Sequence, residues 1–191
     1  MPQNLKRLFF TAMLVTVAGI FLTASPASRA DSGTGTVSIT GGSLSESIGV
    51  LTIPPVTLDG TDQAVTYSFP ITVIDATGTG NGWNLTITST TFTGTINGVT
   101  RTFPTSASVI TGGSSACAAG STCVTATNSV AFPLTIPAAA TAPTAVKLFN
   151  ATANTGMGKI TVTPSVSVTV PGNAFAGSYS SVITLAVVSG P

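Results

Sequence analysis

Trp83-Asn84-Leu85-Thr86-Ile87-Thr88-Ser89-Thr90 is the stretch that decides the fold. In an extended strand successive side chains point to opposite faces, so Trp83, Leu85 and Ile87 share one face while Asn84, Thr86 and Thr88 share the other. One face is apolar and the other carries hydroxyls and an amide, the pattern of a half-buried strand. The same two-residue period recurs in Tyr67/Phe69/Ile71/Val73, Val130/Phe132/Leu134/Ile136, Ile160/Val162 and Val166/Val168/Val170. Thr and Val dominate these runs because β-branched side chains fit a pleated surface. No helix-period segment follows the N-terminal thirty residues.

Between the runs stand turn signals at Gly41-Gly42, Asp59-Gly60, Asn97-Gly98 and Gly172-Asn173. Asn97-Gly98, between Phe92-Thr-Gly-Thr-Ile96 and Val99-Thr-Arg-Thr-Phe103, is the strongest hairpin signal, since a two-residue turn that matches strand twist needs positive φ at both positions. Phe69-Pro70, Phe103-Pro104, Phe132-Pro133 and Thr163-Pro164 bring prolines that donate nothing to a ladder, and so imply edges or bulges. Pro137-Ala-Ala-Ala-Thr-Ala-Pro143 reads as a crossover between strands. The expectation for residues 31–191 is one all-β domain, a single antiparallel β-sandwich of immunoglobulin-like or Greek-key type, large enough to bury a core.

Lys6 and Arg7, an uncharged apolar stretch from Leu8 to Leu22 and small residues through Ala30 have the order of a secretory signal peptide over 1–30. The stretch is short for a membrane span, and no second apolar helix follows, so the expected mature chain is secreted and has no membrane span. That chain carries Arg101, Lys147 and Lys159 against Asp31, Glu46, Asp59, Asp62 and Asp75, three minus five, a formal charge of minus two. Three scattered cations are a poor match for a phosphate backbone, which excludes nucleic acid as the expected partner. A neutral, hydroxyl-rich ligand such as a glycan or peptidoglycan suits the Thr, Ser, Asn and Gly surface better. Cys117 and Cys123 bracket Ala-Ala-Gly-Ser-Thr, and in an exported chain this spacing reads as one disulfide stapling a surface loop.

The residues for catalysis are missing. There is no His, no carboxylate pair at catalytic spacing and no Gly-x-Ser-x-Gly elbow, so no enzyme is expected. Asp59 and Asp62 read as a solvated turn. Asp75-Ala-Thr77-Gly-Thr79-Gly-Asn81 places oxygen side chains at alternate positions, as a calcium loop does, but it offers a single carboxylate. A capped turn is the simpler reading, and no metal or cofactor is expected.

Val73-Ile-Asp-Ala-Thr-Gly-Thr-Gly-Asn-Gly-Trp-Asn-Leu-Thr-Ile-Thr-Ser-Thr-Thr-Phe92 resembles the first signature of the WxL-domain bacterial surface proteins. The family's second signature is a Tyr, then a strand with another Trp-x-Leu, then a closing Pro. Tyr179-Ser-Ser-Val-Ile-Thr-Leu-Ala-Val-Val-Ser-Gly-Pro191 fits its spacing, with Leu185 at the Trp position and Val187 at the Leu position. The resemblance implies noncovalent attachment to the cell wall, to peptidoglycan, with other surface proteins as further candidate partners. No Leu-Pro-x-Thr-Gly sorting motif is present. Trp83 would stack on a sugar ring, with Leu85 beside it and Asn84 and Thr hydroxyls orienting the ligand; the other role open to Trp83 and Leu85 is the core. Because Gly80-Asn81-Gly82 places Trp83 at a strand mouth, the ring is expected to be half open. The rival reading is a structural subunit of a pilus, coat or surface layer, pairing edge to edge with its neighbours.

Overall fold

The computed structural model describes residues 31–191. The leader read at 1–30 lies outside the described residues. Residues 31–38 are exposed and carry no strand, and Ile39–Pro191 form one body. In chain order its strands are β1 (Leu44–Ile48), β2 (Gln63–Ser68), β3 (Ile71–Asp75), β4 (Trp83–Thr90), β5 (Thr93–Ile96), β6 (Val99–Thr102), β7 (Ser108–Cys117), β8 (Leu134–Thr135), β9 (Ala138–Ala139), β10 (Val146–Ala151), β11 (Gly158–Val170) and β12 (Ile183–Ser189). There is no helix among the described residues.

Two sheets face each other. The first runs β1-β3-β11-β7-β8, with β2 also paired to β11; the second runs β10-β4-β12, with β9 added parallel to β4. All the other pairings are antiparallel. β2 and β3 lie in one register on β11, Ser68 opposite Ser165 and Ile71 opposite Val162. They are a single strand interrupted at Phe69-Pro70, where the proline has no N–H to give. Pro164 occupies mid-strand in β11, next to a bulge: Ser165 faces Gly112 and Val166 faces Ile110, which leaves Thr111 as the extra residue of β7.

The core lies between the sheets. Phe69, Ile71, Val73, Ile160, Val162 and Val166 of the first sheet meet Trp83, Leu85, Ile87, Leu148 and Phe149 of the second. The outward rows are hydroxyl-rich, as the alternation requires. The chain passes repeatedly from one sheet to the other, so most neighbouring strands are distant in sequence, and the fold is a sandwich rather than a meander. Ile136-Pro137 make one such passage, from β8 to β9, so the stretch 137–143 read as a crossover contains the short strand β9 and then leads towards β10 in the same sheet.

Two parts of the strand pattern differ from the sequence reading. Val130/Phe132/Leu134/Ile136 keep their alternating burial, but only Leu134 and Thr135 join a ladder. Pro133 cannot donate, and the segment before it bonds through side chains instead, with Asn128 accepting from the Val130 and Asn150 amides. Conversely, β7 and β10 are strands without a clean alternating signature. β7 contains Gly112-Gly113, and β10 contains an irregularity between Lys147 and Phe149 that turns Leu148 and Phe149 both inward.

Candidate functional site

β4 is the middle strand of its sheet, and this placement sets the fate of Trp83. Its neighbours are Ala151 on β10 and Ser189 on β12. The indole is 0% exposed, stacked on Phe149 at 6.4 Å between centroids. Its Nε1–H donates to the Gly156 carbonyl at 2.9 Å, which satisfies the one polar group a buried tryptophan brings. Leu85 and Ile87 are equally enclosed. The expectation of a half-open ring is therefore corrected: strands flank Trp83 on both sides and the turn carrying Gly156 closes over its edge. Neither Trp83 nor Leu85 presents a face to a ligand.

The two signatures meet side by side. Val187 is opposite Leu85 and Leu185 opposite Ile87, both half-buried and packed against the core. Asn84 points the other way, and its Nδ2–H donates to the Gly190 carbonyl at 2.6 Å, while Gly190 N–H donates to the Gly82 carbonyl at 3.0 Å. Asn84 thus ties the end of the second signature to the start of the first, and its Oδ1 is buried without a partner. In the glycine-rich turn, Asp75 Oδ1 accepts from Thr77 N–H at 3.1 Å and Thr77 Oγ1–H at 2.6 Å, a capped turn. Among the described residues no three His, Cys, Asp or Glu side chains gather where they could hold a metal ion. Cys117 and Cys123 are joined in a disulfide, Cys117 exposed at the end of β7 and Cys123 half-buried against the core.

Tyr179 lies apart from these residues, at the far end of β4. There the β5–β6 hairpin, with Asn97 at φ 51° and Gly98 at φ 74°, docks on the segment before β12. Thr93 and Ser180 exchange both backbone hydrogen bonds, at 2.9 and 3.0 Å. Gly94 lets the Ser178 carbonyl approach where a Cβ would stand. Behind the hairpin the rings of Phe92, Phe103 and Tyr179 are in contact, with centroids 5.7 and 4.4 Å apart. Tyr179 O–H donates to the Phe175 carbonyl at 3.1 Å. Phe175 is 45% exposed, with the Arg101 guanidinium carbon 3.9 Å above its ring centre, a cation–π contact. The Arg101 Nε is buried and has no hydrogen-bond partner.

Phe92, Phe103, Phe175 and Tyr179 border an open groove of about 570 Å³, within the ~300–1,000 Å³ usual for ligand sites, with Arg101 against Phe175. Val65 and Val168 line it from the first sheet, and Ile53-Pro54-Pro55 form the opposite wall. Residues 51–58 are a strap with half-buried Leu51, Ile53, Val56 and Leu58 but no strand pairing, since two consecutive prolines offer no donor. A smaller cavity of about 210 Å³ lies on the other side of the strap and shares Ile53, Phe92 and Tyr179 with the groove. Where the strap ends, the Gln63 amide and the Thr61 backbone and hydroxyl hold the Asp59 carboxyl down at about 2. Tyr67, buried beside Leu51 and Ile53, has its phenol pushed up to about 12 by that burial.

The family model described as "WxL domain surface cell wall-binding" matches residues 30–191. The chain belongs to the WxL family. No curated protein and no solved structure matches it. The family is one of surface, cell-wall-binding domains, which places this WxL protein at the cell surface or in the cell wall.

Of the residues read from sequence, Trp83, Asn84, Leu85, Leu185 and Val187 are brought together, whereas Tyr179 is carried to the groove. The residues that sequence reasoning missed are Phe92, Phe103, Phe175 and Arg101. Arg101 did carry a signal: it is the one charged residue in a strongly marked hairpin. The aromatic residues carried none, because they converge from separate parts of the chain.

Proposed function

We propose that this WxL protein is exported and held noncovalently on bacterial peptidoglycan, as a binding module rather than an enzyme. The polymer lies in the groove between the strap and residues 174–179. The observation that carries this reading is the contrast between the two aromatic sites. Trp83 is sealed in the core, while Phe175 and Tyr179 border an open groove at the start of the second signature. An exposed aromatic edge next to a preformed concavity can bury ligand surface at little ordering cost.

The test is cosedimentation of the purified protein with peptidoglycan sacculi, with Phe175→Ser beside the parent. The variant is expected to melt like the parent and to stay in the supernatant. Wall binding by Phe175→Ser equal to the parent's would remove the groove from the reading. Concentration-dependent filaments in place of a wall-bound monomer would favour a structural subunit of a surface layer.

A further inference from the structure

We infer that the groove takes the anionic peptide stem of peptidoglycan rather than its glycan strand, with the Arg101 guanidinium receiving a stem carboxylate. This rests on the groove being the wall-binding surface. Two features of the groove decide between the two halves of the polymer. The first is its lining. Ile53, Pro54, Val65, Val168 and Phe92 present hydrocarbon, and the Tyr179 hydroxyl is already spent on the Phe175 carbonyl. A pyranose brings several hydroxyls, and each one buried without a partner is penalised. A stem peptide brings methyl side chains that such a lining accommodates, and its backbone polar groups can remain at the open side.

The second feature is the charge. Arg101 is one of only three cations in residues 31–191, and its guanidinium carbon stands 3.9 Å from the ring centre of Phe175, which lines the groove. Stacking occupies the face of the guanidinium. Its donors lie in the plane of the group, where they match a carboxylate bidentately. A neutral glycan supplies no such acceptor of matching charge.

The experiment compares four probes on the full protein: untreated sacculi, sacculi freed of teichoic acid, chitin as an insoluble neutral glycan without stems, and soluble stem pentapeptide as competitor. Sacculi should retain the protein with or without teichoic acid, chitin should not, and excess free pentapeptide should release it. Arg101→Gln should weaken retention about tenfold, the loss expected for one charged hydrogen-bonded contact, while Arg101→Lys should retain part of the binding and its salt sensitivity. Should Arg101→Gln fail to fold, competition by the pentapeptide against the parent protein decides the matter. Equal retention on chitin would overturn the stem assignment and leave binding to the glycan of the wall standing. Retention that requires teichoic acid would also overturn it, by identifying phosphate as the anion. Failure to bind any of the sacculi would overturn the wall reading itself.

Discussion

Removing the indole of Trp83 would empty a fully enclosed site and leave the Gly156 carbonyl without its donor. A buried Trp→Ala change costs about 3–5 kcal/mol, a large share of a marginal stability of ~5–15 kcal/mol. Trp83→Ala is therefore expected to lower the unfolding midpoint sharply, and Leu85→Ala to cost about 2–5 kcal/mol for the same reason. Urea titration of each variant checks both. A Trp83→Ala protein as stable as the parent would mean that the ring is not in the core. Gly156 belongs to the same unit: it holds φ at +77°, and a Cβ there would stand 2.5 Å from the Trp83 Nε1. The glycine is needed for conformation and for space together, so Gly156→Ala should destabilise on both counts. Asn84 contributes differently, through its bond to Gly190 across the two signatures.

The β5–β6 hairpin is the element on which the groove depends, because it carries Arg101 and rests against residues 174–180. Gly98 holds φ at +74° with open space around a would-be Cβ, so replacing it with Ala meets only the backbone penalty. That penalty is about 1–2 kcal/mol. Thr93 turns its backbone groups to Ser180, so by alternation the hairpin's bonded pairs are Gly94/Arg101 and Ile96/Val99. Gly98→Ala should speed hydrogen exchange at Gly94, Ile96, Val99 and Arg101 and leave exchange in β4 unchanged, and uniform speeding or no change would contradict this. The hairpin was legible in the sequence because the Asn-Gly turn is a local signal, as were the alternating runs of β2, β3, β4 and β11. β7 was hidden by Gly112-Gly113 and β10 by its irregular register, since neither keeps a two-residue period. The burial of Trp83 was not legible either. Its partners Phe149 and Gly156 come from far along the chain, and the local text Gly80-Asn81-Gly82 looks the same whether or not a distant turn closes over the ring. The groove was hidden for the same reason, being assembled from Ile53, Phe103 and Phe175 by sheet topology.

At the scale of the whole molecule, stability rests on the apolar layer between the sheets, with local devices added. The Cys117–Cys123 bridge closes a loop with a sequence separation of 6 on the exposed end of β7. A loop this short gains about 2 kcal/mol from its bridge in the chain-entropy model, so reduction should lower the melting temperature without abolishing folding. Calorimetry with and without reductant measures the difference, and complete unfolding on reduction would contradict it. Tyr67 reports on how the strap closes the sandwich. Its ring packs 6.0 Å from that of Phe69 and lines the same cavity as Leu51 and Ile53, and burial raises its pKa from 10.0 to about 12. A phenol whose folded pKa lies above its unfolded value leaves stability unaffected below about pH 10 and erodes it as the pH climbs towards 12, because only the unfolded chain ionises in that interval. Tyr67 and Tyr179 are the two tyrosines of the chain, so in Tyr179→Phe the tyrosinate absorbance comes from Tyr67 alone. Titrated upward, that variant should ionise near pH 12, together with the loss of its β-sheet circular dichroism. Ionisation near pH 10 with the sheet signal intact would put Tyr67 in water and the strap away from the sandwich, and with it the wall of the groove that Ile53-Pro54-Pro55 provide.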